Sequence, residues 1–422
     1  MRKSFIRIIF VFIAILWIIS CQKSTKWAGQ KPIQVVPTDS RPVQKQWKGT
    51  FELGGGIYAS NDFEGARLNG IVRNNDTLVT VLITSENTPI NPSPWYAFKL
   101  WSLEEKEINL RLTYQDGSFH RYYPKLSYNG KDWTPIDSLH YLESEERIQV
   151  ASRSLPKFIR MQLSVGPDTL WVAAQELITS SKVHDWIERI GVLPYVSKSE
   201  IGRSVEGRPI ELVRVGESDD KKMIFVLSRQ HPPEVTGYLA MEAFVETIAS
   251  DDSIAESFRK NYNTYIVPLA NPDGVDNGHW RHSTGGIDLN RDWANVNQPE
   301  VAAIQGFMKE KIINSGGTFF FGVDFHSTWE DIYYTIDTTL QGNRPGLVPK
   351  MISGMAQELG LDPNIRPNKM DVPSINSSRY FFEKFGAEAL TYEIGDDTPR
   401  DLLRKKGEFS ARELMKLLLA EE

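Results

Sequence analysis

The sequence predicts an α/β domain, with a mixed, mostly parallel sheet flanked by helices, preceded by an antiparallel β-sandwich. At 422 residues the chain is long enough for two or three domains. Residues 48–178 alternate short β-branched and aromatic runs with turn signals, whereas residues 184–422 alternate strand-like and helix-like segments. Hydrophobic residues are 41% of the chain and charged residues 24%, which excludes a mainly disordered protein. The net charge of −6, without a basic block, argues against a nucleic-acid partner.

Residues 1–21 are predicted to be a lipoprotein signal peptide. Positively charged residues at the start precede an apolar run over residues 8–19, and the segment ends at Cys21, the only cysteine. This pattern resembles bacterial lipoprotein signals, in which cleavage leaves the cysteine to be acylated. We therefore expect a cell-envelope protein, anchored to a membrane by lipid on Cys21, on the periplasmic or surface face. An uncleaved anchor helix is the alternative.

A tether and then the β-sandwich are predicted to follow. Residues 22–47 mix lysine, glutamine, proline and serine without periodicity, which is typical of a linker. The β-sandwich is predicted over residues 48–178, because strand-like runs recur there between turn signals. Its clearest predicted strands are residues 78–84, 95–103, 107–115 and 158–166.

The α/β domain is predicted over residues 184–422. A strand pair is expected around residues 203–215, before the alternating elements begin. Further strands are predicted at residues 222–229, 263–271, 317–327 and 386–395. Helices are predicted at residues 184–191, 235–250, 299–314 and 348–360, and after Pro399. In such sheets the functional side chains collect at the carboxyl ends of the strands.

Three residues at predicted strand ends form a candidate metal site. His231 and Glu234 follow the strand at residues 222–229, and His326 comes near the end of the strand at residues 317–327. A His-x-x-Glu pair alone is a weak signal. Two imidazoles, one carboxylate and an open position for water are, however, the ligand set of a catalytic zinc. Zn²⁺ is therefore the candidate cofactor, and the resemblance described next also implies it.

The order of five sequence elements resembles the signature of the zinc carboxypeptidase superfamily. These elements are the His-x-x-Glu of residues 231–234, the Asn-Pro-Asp-Gly of residues 271–274, the Asp-x-Asn-Arg of residues 288–291, His326 and Glu393. The resemblance covers about residues 190–410. The preceding β-domain and the segments 122–133 and 200–210 are similar to the cytosolic-carboxypeptidase-like branch, which carries an N-terminal β-sandwich.

The resemblance implies a role for each matching residue. His231, Glu234 and His326 match the zinc ligands of the family. Glu393 matches the general base and acid, which takes a proton from the metal-bound water and delivers it to the leaving amine. Arg281 matches the arginine that polarises the scissile carbonyl and stabilises the oxyanion.

The resemblance also implies a substrate clamp. Asn290 and Arg291 match the pair that binds the terminal carboxylate of the substrate, for which a guanidinium offers bidentate geometry. Ser377, Ser378 and Arg379 are candidates for the pocket that binds the last side chain, and Arg379 would favour acidic residues. The family's capping tyrosine has no counterpart in residues 367–374, so its role stays open. The candidates for it are Tyr333, Tyr334 and Tyr380.

Other polar residues near these motifs are expected to have supporting roles. His279 and His282 are interpreted as surface or supporting groups, and Asp288 and Asp292 as structural residues of the same loop. Asp324, two residues before His326 and on the same side of its strand, is a candidate for orienting that histidine.

The expected function is zinc-dependent hydrolysis of a peptide or amide bond next to a free C-terminal carboxylate. The expected partner is a peptide substrate of that kind. Three alternatives stay open: a muropeptide-cleaving peptidase of the cell wall, an N-acyl amino acid deacylase, and an inactive zinc-binding surface module in which the β-sandwich binds the partner.

Overall fold

A computed structural model describes residues 36–368 and 376–420 of the chain. The predicted signal peptide at residues 1–21, with Cys21, lies outside the described residues, as does the first part of the predicted tether. Within the described ranges, no helix has the length and apolar character needed to cross a membrane.

The N-terminal domain contains two β-sheets and a separate hairpin. Its strands are β1 (Thr50–Glu52), β2 (Ile57–Ser60), β3 (Gly70–Arg73), β4 (Leu78–Ile83), β5 (Ala97–Ser102), β6 (Lys106–Tyr114), β7 (Lys125–Ser127), β8 (Thr134–Pro135), β9 (Tyr141–Glu143), β10 (Arg147–Val150), β11 (Arg153–Pro156), β12 (Ile159–Val165) and β13 (Leu170–Ala173). One sheet has the order β1-β2-β5-β13-β7-β8 and the other β3-β4-β6-β12-β9, while β10 and β11 form the hairpin.

The two sheets enclose one apolar core. Alternate residues of β12 are buried, which is the pattern of a strand with one face on a core. The core combines side chains of both sheets, among them Leu100 and Val172 from one and Val81 and Leu110 from the other. The predicted β-sandwich is confirmed, and its strand pairs are antiparallel except for β4 and β6, which run parallel.

The C-terminal domain is an eight-stranded mixed sheet between helices. Its strands are β14 (Val196–Arg203), β15 (Pro209–Val215), β16 (Lys222–Ser228), β17 (Asn263–Val267), β18 (Thr318–Thr328), β19 (Ile332–Thr335), β20 (Ile365–Pro367) and β21 (Glu388–Gly395). Its helices are α1 (Ser180–Ile190), α2 (Val235–Ile248), α3 (Ser253–Asn261), α4 (Pro272–Asp276), α5 (Pro299–Ser315), α6 (Leu347–Leu359), α7 (Ser377–Phe385) and α8 (Arg400–Ala420). The sheet order is β14-β15-β17-β16-β18-β21-β19-β20.

Apolar cores cover both faces of this sheet. On one face α1, α2, α3, α6 and α8 contribute buried side chains, and on the other α5 and α7 do so. The four adjacent strands β17, β16, β18 and β21 run parallel, as predicted. Their carboxyl ends therefore meet at one edge of the sheet, and His326 of β18 lies opposite Glu393 of β21 in the strand register.

A buried ion pair joins the two domains beside that edge. Arg121, in the connection between β6 and β7, donates its Nε to Oδ2 of Asp396 at 2.8 Å. Its Nη1 donates to Oγ of Ser93 at 2.8 Å. The side chains of Arg121 and Asp396 are only 7% and 4% exposed. Because Asp396 directly follows β21, the sandwich contacts the C-terminal domain next to the strand that carries Glu393.

The described part of the predicted tether is packed against the C-terminal domain. Thr38 is 1% exposed, and its carbonyl oxygen accepts a hydrogen bond from Nε2 of Gln298 at 2.8 Å. The backbone amide of Arg41 donates to the Gly285 carbonyl at 2.7 Å. The side-chain Nη2 of Arg41 donates to the Gly286 carbonyl at 3.0 Å. The residues of the predicted tether near Thr38 and Arg41 therefore contact the folded C-terminal domain. Composition alone did not reveal these long-range contacts.

Candidate metal and catalytic site

The three predicted metal ligands converge at the carboxyl edge of the sheet. His231 follows β16, Glu234 immediately precedes α2, and His326 lies in β18. Nδ1 of His231 is 2.8 Å from Oε1 of Glu234, and Nδ1 of His326 is 2.6 Å from Oε2 of the same carboxylate. One ligand atom from each residue lies within 4.8 Å of the other two. All three side chains are buried or nearly so.

Nε2, the ring nitrogen of each histidine that does not contact Glu234, faces a second carboxylate. Nε2 of His231 is 2.9 Å from Oδ1 of Asp288, and Nε2 of His326 is 2.8 Å from Oδ2 of Asp324. A histidine that donates its outer N–H to a carboxylate presents the lone pair of its other nitrogen to a metal. Two imidazoles and one carboxylate facing a cavity fit a catalytic Zn²⁺. The predicted orienting position of Asp324 agrees with this geometry.

Charges within the site perturb the titration of its groups. Burial alone would raise the pKa of the Glu234 carboxyl, but the adjacent His231 and His326 lower it. Burial alone would lower the pKa of His326, yet Asp324 and Glu234 hold it well above the ordinary value.

A cavity of about 210 Å³ opens beside these ligands. Its described lining residues are Asn91, Ser93, Arg121, His231, Glu234, Arg281, Asn290, Arg291, His326, Ser327, Thr328, Tyr334, Asn376, Thr391 and Glu393. The three ligands therefore share one polar cavity with four further predicted site residues, namely Arg281, Asn290, Arg291 and Glu393.

Glu393 supplies a carboxyl group with an unpartnered oxygen. Its Oε2 is buried and has no hydrogen-bond partner among the described residues. Burial, assisted by the nearby Glu234 charge, raises the pKa of Glu393 to about 7. A carboxyl group with a pKa near neutrality can both accept and return a proton.

Asp288 connects Arg281 to the metal ligands. Nε of Arg281 donates to Oδ2 of Asp288 at 2.7 Å, while the other oxygen of Asp288 faces His231. Burial would lower the pKa of Arg281, but Asp288 raises it, so the guanidinium stays charged. Asp288 therefore contacts both a predicted metal ligand and a cavity-lining cation, which goes beyond the structural role expected from the sequence.

A single 3₁₀ turn at Leu289–Arg291 places the predicted carboxylate clamp. The turn begins at Asp288, whose Oδ1 accepts a hydrogen bond from the Asn290 amide at 2.9 Å. Oδ1 of Asn290 accepts from the Ser377 amide at 3.0 Å, and Nη1 of Arg291 donates to the Asn290 carbonyl at 3.0 Å. Both side chains of the predicted clamp line the cavity.

Arg379 lies apart from the described cavity lining. Its Nε donates to Oε1 of Glu383, one turn later in α7, at 2.8 Å. The predicted contact of Arg379 with the last substrate side chain stays a prediction, because residues 369–375 of the adjoining segment lie outside the described residues.

One of the three candidate tyrosines reaches the cavity. Tyr334, in β19, lines it, and burial raises the pKa of its hydroxyl. Tyr333 points into the core, where its hydroxyl donates to the Tyr392 hydroxyl at 3.1 Å. Tyr380 is buried against Trp293. The structure therefore favours Tyr334 among the candidates for the capping role.

His279 and His282 are buried rather than exposed. Nδ1 of His282 is 2.6 Å from Oδ1 of Asn87, a residue of the β-sandwich, and Nδ1 of His279 is 2.9 Å from the carbonyl of His282. Both therefore support the fold of the loop in which Arg281 lies, and the surface alternative for them is wrong.

Sequence reasoning missed the contribution of the β-sandwich to the cavity. Asn91, Ser93 and Arg121 come from that domain and line the cavity. No motif marks them, because their position depends on how the two domains pack. In the sequence, only the presence of a second domain indicated that residues outside the α/β domain could line the cavity.

The chain resembles known carboxypeptidases in sequence. Residues 185–351 match the family described as zinc carboxypeptidase. An uncharacterized protein of Zymomonas mobilis is 24% identical over 255 residues, which are 58% of this chain and 62% of that protein. Cytosolic carboxypeptidase 6 of Caenorhabditis elegans is 29% identical over 172 residues, 38% of each chain. The matched regions thus span less than two thirds of these curated relatives.

Solved structures share the fold over most of the chain. A metallo-carboxypeptidase from Burkholderia cenocepacia has a TM-score of 0.70 at 17% identity and covers 87% of this chain and 100% of its own. A metallo-carboxypeptidase from Pseudomonas aeruginosa, solved with (2-guanidinoethylmercapto)succinic acid, has a TM-score of 0.68 at 20% identity, with 86% and 100% coverage. The two-domain architecture described above therefore occurs in these proteins.

The ligand set predicts how metal binding responds to mutation. We expect the purified protein to hold about one zinc ion per chain, and His326→Ala to lose most of it, because two of three protein ligands would remain. His140→Ala, which removes an exposed histidine of the β-sandwich, is the matched control and should keep its zinc. Zinc is measured by elemental analysis after gel filtration. Equal zinc content in the two variants would contradict the assignment.

Proposed function

We propose that this chain, in which residues 185–351 match the zinc carboxypeptidase family, hydrolyses the peptide or amide bond next to a free C-terminal carboxylate. The observation that carries the proposal is the shared cavity. It brings a zinc ligand set, a carboxyl group suited to proton transfer, a largely buried arginine and a polar carboxylate clamp within one volume of about 210 Å³.

The proposed chemistry divides between the metal and the protein. Zn²⁺ held by His231, Glu234 and His326 would acidify a water molecule and polarise the substrate carbonyl. Glu393 accepts the proton of the attacking water and delivers it to the leaving amine, for which its raised pKa is suited. Arg281, kept cationic by Asp288, donates hydrogen bonds to the carbonyl oxygen as negative charge develops there.

The clamp explains the proposed preference for a free C-terminus. Arg291 and Asn290 line the cavity, and a guanidinium binds a carboxylate through two parallel hydrogen bonds. The volume of about 210 Å³ is below the roughly 300–1,000 Å³ of drug-sized ligand pockets. We propose that the cavity takes the last residue of a peptide chain rather than an internal segment.

Glu393→Gln tests the proton-transfer role. The amide keeps the shape of the side chain but cannot accept a proton, so turnover should fall by on the order of 10²-fold or more. Zinc content should be unchanged. Glu388→Gln, on the same strand and outside the described cavity lining, is the matched control and should retain turnover. Turnover is measured by release of the terminal amino acid from a free-acid peptide. Near-native turnover of Glu393→Gln would refute the assignment.

A pair of peptides with the same sequence, one with a free C-terminus and one amidated, tests the clamp. The free acid should lose its last residue, whereas the amide should not be cleaved, because it offers no carboxylate to Arg291. Products are identified by mass spectrometry. Equal cleavage of both peptides would indicate an endopeptidase, and cleavage of acyl amino acids alone would indicate a deacylase.

The cellular location is a separate proposal that rests on residues 1–21. We propose that the protein is held at a membrane of the cell envelope by lipid on Cys21. Cys21→Ser should move the protein from the membrane fraction to the soluble fraction and abolish labelling by a fatty-acid analogue. Ser20→Ala, which keeps the cysteine, serves as control. Unchanged labelling of the Cys21 variant would contradict the proposal.

A further inference from the structure

A carboxylate of the β-sandwich binds the backbone of the loop that carries Arg281. Glu86, between β4 and β5, is 0% exposed. Its Oε2 accepts a hydrogen bond from the Trp280 amide at 2.8 Å, and its Oε1 accepts from the amides of Arg281 at 3.0 Å and His282 at 2.7 Å. One side chain therefore satisfies three successive N–H groups of a segment nearly two hundred residues away in sequence.

These contacts compensate for the cost of burying Glu86. A buried carboxylate is costly unless it is hydrogen-bonded and its charge is balanced. Burial would raise the pKa of Glu86, but His279, Arg67 and His282 lower it, so the group stays ionised. In return, the three N–H groups, which belong to a segment without regular secondary structure, gain an acceptor. Each of these bonds is of the stronger, charge-assisted kind.

Neighbouring contacts hold both Glu86 and the far end of the loop. The Gln44 amide donates to the Glu86 carbonyl at 2.6 Å. Nδ2 of Asn87 donates to the Gly286 carbonyl at 3.0 Å. Gly286 has a positive φ of 77°, and a Cβ there would collide with the carbonyl oxygen of Arg41. The loop is therefore held from the sandwich on one side and from the N-terminal segment on the other.

The loop bears Arg281, which acts in the proposed reaction, and Asp288, which contacts it. Glu86 accepts a hydrogen bond from the backbone amide of Arg281 itself. The guanidinium of Arg281 contacts Asp288, which in turn faces His231. A displacement of about 1 Å in a catalytic group can lower the rate about 10²-fold. The backbone position of Arg281 therefore matters for stabilising negative charge in the cavity.

We propose that Glu86 is a positioning residue of the active site, through which the β-sandwich holds Arg281 in the orientation that catalysis requires. This inference rests on the proposed hydrolase function. It assigns the β-sandwich a part in forming the catalytic site.

Glu86→Gln is the principal variant. The amide removes the charge and places an NH₂ group against a backbone N–H, so at least one of the three bonds is lost. We expect kcat to fall by about tenfold or more, with KM and zinc content nearly unchanged. Glu107→Gln, which removes an exposed carboxylate from β6 of the same domain, should leave kcat unchanged. A Glu86→Gln enzyme with native kcat would overturn the proposal.

A double-mutant cycle separates positioning from general destabilisation. If Glu86 acts through Arg281, Glu86→Gln should have little further effect on kcat once Arg281→Ala is present. Losses that multiply in the double variant would show that Glu86 acts independently of Arg281 and would overturn the proposal. If Glu86→Gln does not fold, Glu86→Asp, which keeps the charge but shortens the reach, replaces it in the same cycle.

Amide hydrogen exchange gives a readout that needs no activity. The amides of Trp280, Arg281 and His282 should be protected in the wild-type protein and should exchange faster in Glu86→Gln, while the core strands β16 and β18 keep their protection. Unchanged protection at the three amides would overturn the proposal. A wild-type protein that cleaves no peptide would instead refute the proposed function, and the exchange experiment would still decide whether Glu86 holds the loop.

Discussion

The proposed chemistry depends on two imidazole rings being held with the same nitrogen, Nδ1, directed to one point. Asp288 and Asp324 achieve this by facing Nε2 of His231 and His326, respectively. Each carboxylate is itself fixed. Asp288 contacts Arg281, and Asp324 accepts hydrogen bonds from Gln230 and Ser377. These contacts fix the orientation of both rings, which favours metal binding at their Nδ1 atoms.

The side chains around the predicted metal site are positioned by two different kinds of structure, strands and an irregular loop. Parallel strands bring Glu393 and His326 side by side, because the hydrogen-bond ladder between β18 and β21 fixes their register. Arg281 and Asp288 come instead from an irregular loop, whose amides at residues 280–282 donate to a side chain. That loop is ordered by contacts from the β-sandwich and the N-terminal segment, with Glu86 accepting three of its amide hydrogen bonds. The sandwich is consequently part of the site's architecture.

The regular elements were predictable from local sequence patterns, and the ligand candidates from the order of motif elements along the chain. The limits of β4 and β12 were predicted within about one residue, since alternating burial leaves a clear period-two pattern. The ligand candidates could be named because they belong to five sequence elements whose order resembles the zinc carboxypeptidase signature, whereas the His-x-x-Glu pair alone is a weak signal. Short elements such as α7 and β19 were missed, since they carry little periodicity.

The interdomain part of the site was not predictable in this way. Glu86 and Arg121 look like ordinary charged residues in the sequence, and only the packing of the two domains places them beside the catalytic loop and β21. Tyr334 could be named as a candidate but not chosen, because its side-chain direction depends on its pairing with Thr391 across the sheet. The docking of Thr38 and Arg41 was likewise hidden by the linker-like composition around them.

The most direct test of the account is X-ray absorption spectroscopy at the zinc edge on the metal-loaded protein. The spectrum reports the number and type of donor atoms around the ion. The account predicts two imidazole nitrogens at about 2.0–2.1 Å together with oxygen donors, from a carboxylate and a solvent molecule. A sulfur donor, a third imidazole or a shell of oxygen atoms alone would contradict it, because the ion would then lie outside the site of His231, Glu234 and His326.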